Sequence, residues 1–162
     1  MIGKVLQIPY RKAEQARRHG YNGRILHVDL TTGAMEVEEP GDAFYRTYVG
    51  GRALVGYYLL RGLPKGADPL GPDNPLIFAP GVVTGTSLPG SGRHGVGGKS
   101  PLTGALGSAE AGGWWGAEFK RAGFDALIVR GRAERPVYLW ICDGRVEIRD
   151  ASRLWGRVTA EV

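Results

Sequence analysis

Glycine limits most strongly what this chain can fold into: 27 of its 162 residues are glycine, about one in six where roughly 7% is usual. Twelve of them fall within the 36 residues from Gly81 to Gly116, with neither collagen's three-residue period nor low-complexity repetition. Glycine weakens helices and strands alike, so this density belongs where the backbone turns through left-handed conformations or lets something come close. Elsewhere the composition is globular, 43% hydrophobic and 23% charged. No apolar run approaches the roughly 18 to 20 residues of a membrane span, and one domain with one core is expected.

The formal charge of +5 invites a nucleic-acid reading until the charges are located. Lys4, Arg11, Lys12, Arg17 and Arg18 face only Glu14 within residues 1–20, so this lead holds +4 and the body is nearly neutral. Short basic leads are usually solvated tails, and this one lacks the apolar run and small-residue cleavage site of a secretory signal. Residues 1–20 are therefore set apart as a basic extension, and a cytoplasmic location is expected. The single cysteine, Cys142, excludes an internal disulfide. A zinc or iron–sulfur site would need more thiolates than this chain offers.

Along the chain, Arg24 to Leu30 alternates with Leu26, Val28 and Leu30 on one face, and Thr31-Thr32-Gly33-Ala34 turns it into Met35 to Glu38, which predicts a hairpin. His27 falls on the polar face, as a solvent-facing or cross-strand residue. Asp42 is a candidate cap for a helix carrying Phe44, Tyr45, Tyr48 and Val49, and a second helix runs from Arg52 to Arg61 until Gly62 and Pro64 stop it. Leu76 to Ala79 and Asp125 to Val129 read as buried strands, with a short helix closing at Gly123 between them. Val137 to Arg149 reads as a hairpin about Asp143-Gly144, with Cys142 opposite Arg145, Ile141 opposite Val146 and Leu139 opposite Ile148. Strands and helices do not alternate, so the expected class is α+β, rich in β-sheet with a few short helices.

Two phosphate motifs nearly occur in the glycine-rich segment. Gly98-Lys99-Ser100 resembles the end of a Walker loop, but Arg93 stands where its first glycine belongs, and Pro101 and Gly104 forbid the helix that must follow. Gly90 to Gly95 has the dinucleotide spelling, with Glu110 at about the right distance, yet Leu88-Pro89 precedes it where a strand should end. What remains is backbone able to approach a flat or phosphorylated ligand, with the planar donors of Arg93 beside it. A second candidate is Gly112-Gly113 before Trp114, where a helix is predicted to begin. The plainer alternative for the segment is a set of tight turns. His94 has no visible carboxylate partner and reads as packed or exposed, not catalytic.

Many spaced words occur together in one order: Tyr21 to Gly33, Gly50-Gly51-Arg52, Gly81 to Thr86 with Gly92-Arg93, Lys99 to Gly104, Ala111 to Glu118, Glu147 to Ala151, and Leu154-Trp155-Gly156. From Tyr21 onward the chain resembles the start of a tungsten-containing aldehyde ferredoxin oxidoreductase. The resemblance implies that residues 21–162 are the pterin-binding N-terminal domain of such an enzyme, truncated at its C-terminal end. It implies a tungsten or molybdenum atom held by two pterins whose phosphates are bridged by magnesium, with no metal ligand from the protein. It places Arg93 against a pterin, between it and an iron–sulfur cluster. It places Glu110, Ala111, Gly112 and Gly113 along the pterin phosphate and magnesium. Glu110 departs from the family's usual asparagine; a carboxylate there would repel phosphate, though it could contact magnesium.

By the same resemblance, the reaction oxidises an aldehyde to a carboxylic acid and passes electrons through a [4Fe–4S] cluster to ferredoxin. The cluster cysteines and the substrate cavity belong to remaining domains or to a partner subunit, so this chain supplies no catalytic residue. Two other classes are a non-catalytic accessory subunit holding pterin or phosphate, and a module binding nucleic acid or another partner through residues 1–20. The near-neutral body speaks against nucleic acid, and no membrane association is expected.

Overall fold

A computed structural model describes residues 2–9 and 20–162. Its described strands are β1 (Val5–Gln7), β2 (Ile25–Asp29), β3 (Met35–Glu38), β4 (Leu76–Pro80), β5 (His94–Lys99), β6 (Leu106–Ala111), β7 (Ala126–Arg130), β8 (Val137–Cys142) and β9 (Arg145–Asp150). The helices are α1 (Asp42–Tyr48), α2 (Arg52–Gly62) and α3 (Trp115–Arg121), followed by a 3₁₀ turn at Thr159–Glu161. The fold is α+β, as expected. No helix among the described residues is long and apolar enough to cross a membrane.

Six strands form a mixed sheet in the order β3-β2-β7-β4-β5-β6, and three form a smaller sheet in the order β1-β9-β8. β2 and β7 run parallel, while β4 lies antiparallel to both β7 and β5. The central strands are apolar on both faces because both are covered. On one face Ile25, Ile77, Ala79, Ala126 and Ile128 pack against Leu54, Val55, Tyr58 and Leu59 of α2. On the other, Leu26, Val28 and Leu127 meet Phe119 and Phe124 around α3 and Val146 and Ile148 of β9. Each fully buried Leu, Ile, Val or Phe among them contributes about 1.5–3 kcal/mol.

The Asp143-Gly144 hairpin has the expected register, with Cys142 opposite Arg145 and Leu139 opposite Ile148. Both turn residues have positive φ, 46° and 78°, matching the twist of the strands they join. On the outer face of this sheet Arg149 stacks on Trp140, 4.2 Å from the ring centroid. The Arg149 guanidinium also hydrogen-bonds Glu147 and holds its carboxyl below the usual carboxylate range.

Several expectations are corrected. The glycine-rich segment is not only turns, since β5 and β6 run through it as a fully paired antiparallel ladder. Gly97 is needed there for clearance: a Cβ would overlap Val55 of α2 and the Gly107 carbonyl. The polar face of β2 is covered by a helix and is not fully open to solvent, while the cross-strand reading of His27 holds: it sits beside Tyr58 with its Nε2 2.9 Å from the Glu38 carboxylate of β3. Asp42 does not cap α1 from outside; Gly41 holds the cap position without a side-chain bond, and Asp42 is the first helical residue. There its charge still complements the exposed amides. Within the basic lead, Val5–Gln7 pairs with Glu147, Val146 and Arg145 of β9, so the solvated-tail reading fails for that stretch. Residues 10–19 lie outside the described residues.

Asp125 ties these layers together. Its carboxylate accepts the backbone N–H groups of Asn22, Gly23 and Arg24 at 2.7–3.3 Å and lies 3.2 Å from the Lys120 ammonium, both side chains being buried. Asp125→Asn leaves that ammonium buried without its counter-charge, a loss of about 3–5 kcal/mol. Urea unfolding is expected to show this loss, and Lys120→Met in the same chain should recover part of it.

Candidate cofactor-binding site

The candidate residues converge because β5 and β6 are neighbours. Glu110 on β6 lies directly opposite Gly95 on β5, and Ala111 lies opposite His94. Arg93 immediately precedes β5, and its carbonyl accepts the Thr84 hydroxyl at 2.7 Å. Thr84 is buried and accepts the Gly81 N–H at 2.8 Å in turn, so the glycine loop is tied to the backbone of Arg93.

His94 is the packed member of this group. Its ring lies 4.6 Å from Trp115, which stacks at 5.0 Å on Phe119 and touches Phe78 at 5.3 Å. A Cβ on Gly116 would press on both His94 and Thr84 at 3.2 Å, so glycine at the start of α3 lets helix and strand close. Thr84, His94 and Trp115 thus form a packed pedestal behind the backbone of Arg93.

Above the pedestal the site is polar and open. One oxygen of Glu110 lies 3.1 Å from Arg52 Nη2 and the other 3.8 Å from Arg93 Nη1. Gly112 and Gly113 join β6 to α3, which begins at Trp115 as the sequence predicted, within two residues of Gly113. A Cβ on Gly112 would meet nothing within 4 Å, and its φ is not left-handed. No contact within the chain demands glycine there, so bare backbone faces outward beside Glu110. On the α3 side, an open cleft of about 410 Å³ is lined by Gly90, Gly92, Gly113, Trp114 and Ala117, among others. Among the described residues no three His, Cys, Asp or Glu side chains are placed to hold a metal ion together.

Arg52 escaped the sequence reading as a site residue. It stood in the Gly50-Gly51-Arg52 word, but only the docking of α2 onto β5 brings it to Glu110, 58 positions away. Thr84 was missed too, since nothing in local sequence marks a hydroxyl that braces a carbonyl nine residues on.

The sequence matches a known family. Residues 25–162 fit the family model described as aldehyde ferredoxin oxidoreductase, N-terminal domain. This chain belongs to that family. It is 51% identical over 143 residues to the tungsten-containing aldehyde ferredoxin oxidoreductase of Thermococcus kodakarensis, and 48% identical to that of Pyrococcus furiosus, covering 88% of this chain in each case. A more distant relative, the WOR-like subunit of an aliphatic sulfonate oxidoreductase from Pyrococcus furiosus, is 38% identical over 85% of the chain. Among solved structures, a chain of the active-site complex BamBC of benzoyl coenzyme A reductase, in complex with 1,5-dienoyl-CoA, superimposes with a TM-score of 0.84 at 38% identity over 88% of this chain. The chain spans 24% of the length of the Thermococcus and Pyrococcus aldehyde oxidoreductases and 22% of the BamBC chain. It therefore carries the oxidoreductase N-terminal domain, with the family's sheet arrangement.

One property of this domain can be checked without any ligand. Burial lowers the His94 pKa from the ordinary imidazole value, because the charged ring would lose its hydration. The unfolded chain therefore binds the proton first, and stability falls as pH drops below about 6.5. His94→Phe retains a ring on Trp115 and cannot titrate. Its thermal midpoint should fall less between pH 7.5 and 5.5 than the parent's, and an equal fall would assign the titration to another group.

Proposed function

We propose that this chain forms a pterin-facing wall of a tungsten or molybdenum enzyme that oxidises aldehydes to carboxylic acids and passes the electrons to ferredoxin. The observation that carries this reading is the meeting of Arg93, Glu110 and the bare backbone of Gly112-Gly113 at one place, in a chain half identical to tungsten-containing aldehyde oxidoreductases. The donor chemistry fits the group. Two exposed guanidinium forks suit pterin phosphates or the edge of a heterocycle, and glycine backbone permits close approach. When bound, the metal–pterin centre supplies the two-electron redox chemistry. The chain's own part is to bind and orient: Arg93 is held by Thr84 and aimed outward, and Gly112 and Gly113 leave the approach open. With both its oxygens facing guanidinium groups, the Glu110 carboxylate balances charge there; any magnesium contact is better served by the backbone of Glu110 and Ala111.

The remaining domains, or a partner subunit, supply the [4Fe–4S] cluster, because four thiolates are needed and Cys142 is this chain's one cysteine, exposed at a strand end. Gly112→Val is the cleanest test, since it disturbs no contact of the chain itself. In protein assembled with those domains after growth on tungstate, this variant should lose pterin and tungsten. Arg93→Lys, which keeps the charge but not the fork, should weaken retention about tenfold. Normal pterin content in both would overturn the reading. The 162-residue chain alone should show no sustained aldehyde-dependent reduction of a viologen dye.

A further inference from the structure

The Glu110 carboxylate is itself an anion seated between two guanidinium groups, one oxygen toward Arg52 and the other toward Arg93. These side chains are 41%, 62% and 71% exposed respectively, and ion pairs in such solvent add little to stability. Three separate elements nevertheless bring them together. α2 is seated by Val55 over Gly97 and by the Gly51 N–H on the Pro80 carbonyl at 3.0 Å, and this places Arg52 over Gly95. Thr84 holds the backbone of Arg93. The β5–β6 ladder sets Glu110 opposite Gly95. The result is a seat of anion size with two positive charges against one negative.

We propose that Arg52 and Arg93 form one clamp for a phosphate or pyrophosphate group, and that the Glu110 carboxylate is its built-in occupant, displaced when that group binds. This rests on the cofactor reading above and adds to it Arg52 as a second anion-binding residue and Glu110 as a competitor. A phosphate presents more oxygens than a carboxylate, so it engages both forks at once. The displaced carboxylate stays nearby and repels the newcomer, which lowers affinity relative to a neutral residue at position 110.

The probe is inorganic pyrophosphate, titrated calorimetrically into the 162-residue chain at neutral pH and low ionic strength, with circular dichroism confirming that each variant folds. Arg52→Ala and Arg93→Ala are each expected to weaken binding about fivefold to tenfold, as loss of one charge-assisted contact would. Glu110→Gln should tighten it by a similar factor. Arg52→Lys, which keeps the charge, serves if the alanine variant unfolds, and should lie between the parent and the loss expected for alanine. Unchanged binding in the Arg52 variants, with Arg93→Ala weakened, would reduce Arg52 to a surface partner of Glu110 and overturn the clamp. Unchanged or weaker binding by Glu110→Gln would overturn the built-in occupant. Absence of pyrophosphate binding in both the parent and Glu110→Gln would overturn the whole inference. The cofactor reading is judged separately, on pterin content in the assembled protein.

Discussion

The carboxylate of Asp125 is the constraint on which the arrangement of strands depends. β2 and β7 are parallel, and a parallel pair has no tight hairpin to choose its register. Here the register is set just outside the strands, where Asp125 accepts the N–H groups of Asn22 to Arg24 and donates its own N–H to the Arg24 carbonyl at 2.8 Å. Ile25 then falls opposite Ala126, and the alternation of both strands follows. A slip of one residue would turn Leu26 and Val28 toward α2 and Ile25 toward α3, exchanging side chains sized for different neighbours. Lys120 ties the same carboxylate to α3, so the helix beside the candidate site and the sheet's central register share one anchor.

From that anchor, position passes outward strand by strand. β7 sets β4, β4 sets β5, and β5 sets β6 through antiparallel ladders, ending at Glu110. Glycine does two opposite things along this route. At Gly97 and Gly116 it makes room for neighbours the chain already possesses, Val55 and His94. At Gly112 it makes room for nothing in the chain, which leaves the backbone open to the cofactor contact proposed above.

Much of this was legible in sequence. The Asp143-Gly144 hairpin, the double-sided apolar strands, the stripe of α2 and the start of α3 near Gly113 all follow from local periodicity and turn chemistry. β5 and β6 were not legible, because a strand spelled His-Gly-Val-Gly-Gly-Lys has almost no side-chain preference for sheet and exists through its neighbours. β1 is three residues amid charges, and its partner lies some 140 positions away. For the site, Arg93 and the glycine pair emerged from donor and backbone chemistry, and Glu110 from family resemblance alone. Arg52 and Thr84 did not, because their roles come from packing between elements distant in sequence.

The pairing of Val5–Gln7 with β9 also bears on how this chain reaches its native state. The hairpin of β2 and β3 is formed from the first forty residues, yet its Leu26 and Val28 face is covered by Phe119, Phe124, Val146 and Ile148. Loop-closure entropy grows only slowly with length, so such distant pairings cost little stability. They cost time, since non-local contacts slow the search for the transition state. On the ribosome β1 must wait for β9, and the Leu26 and Val28 face keeps only part of its cover until Val146 and Ile148 have been made.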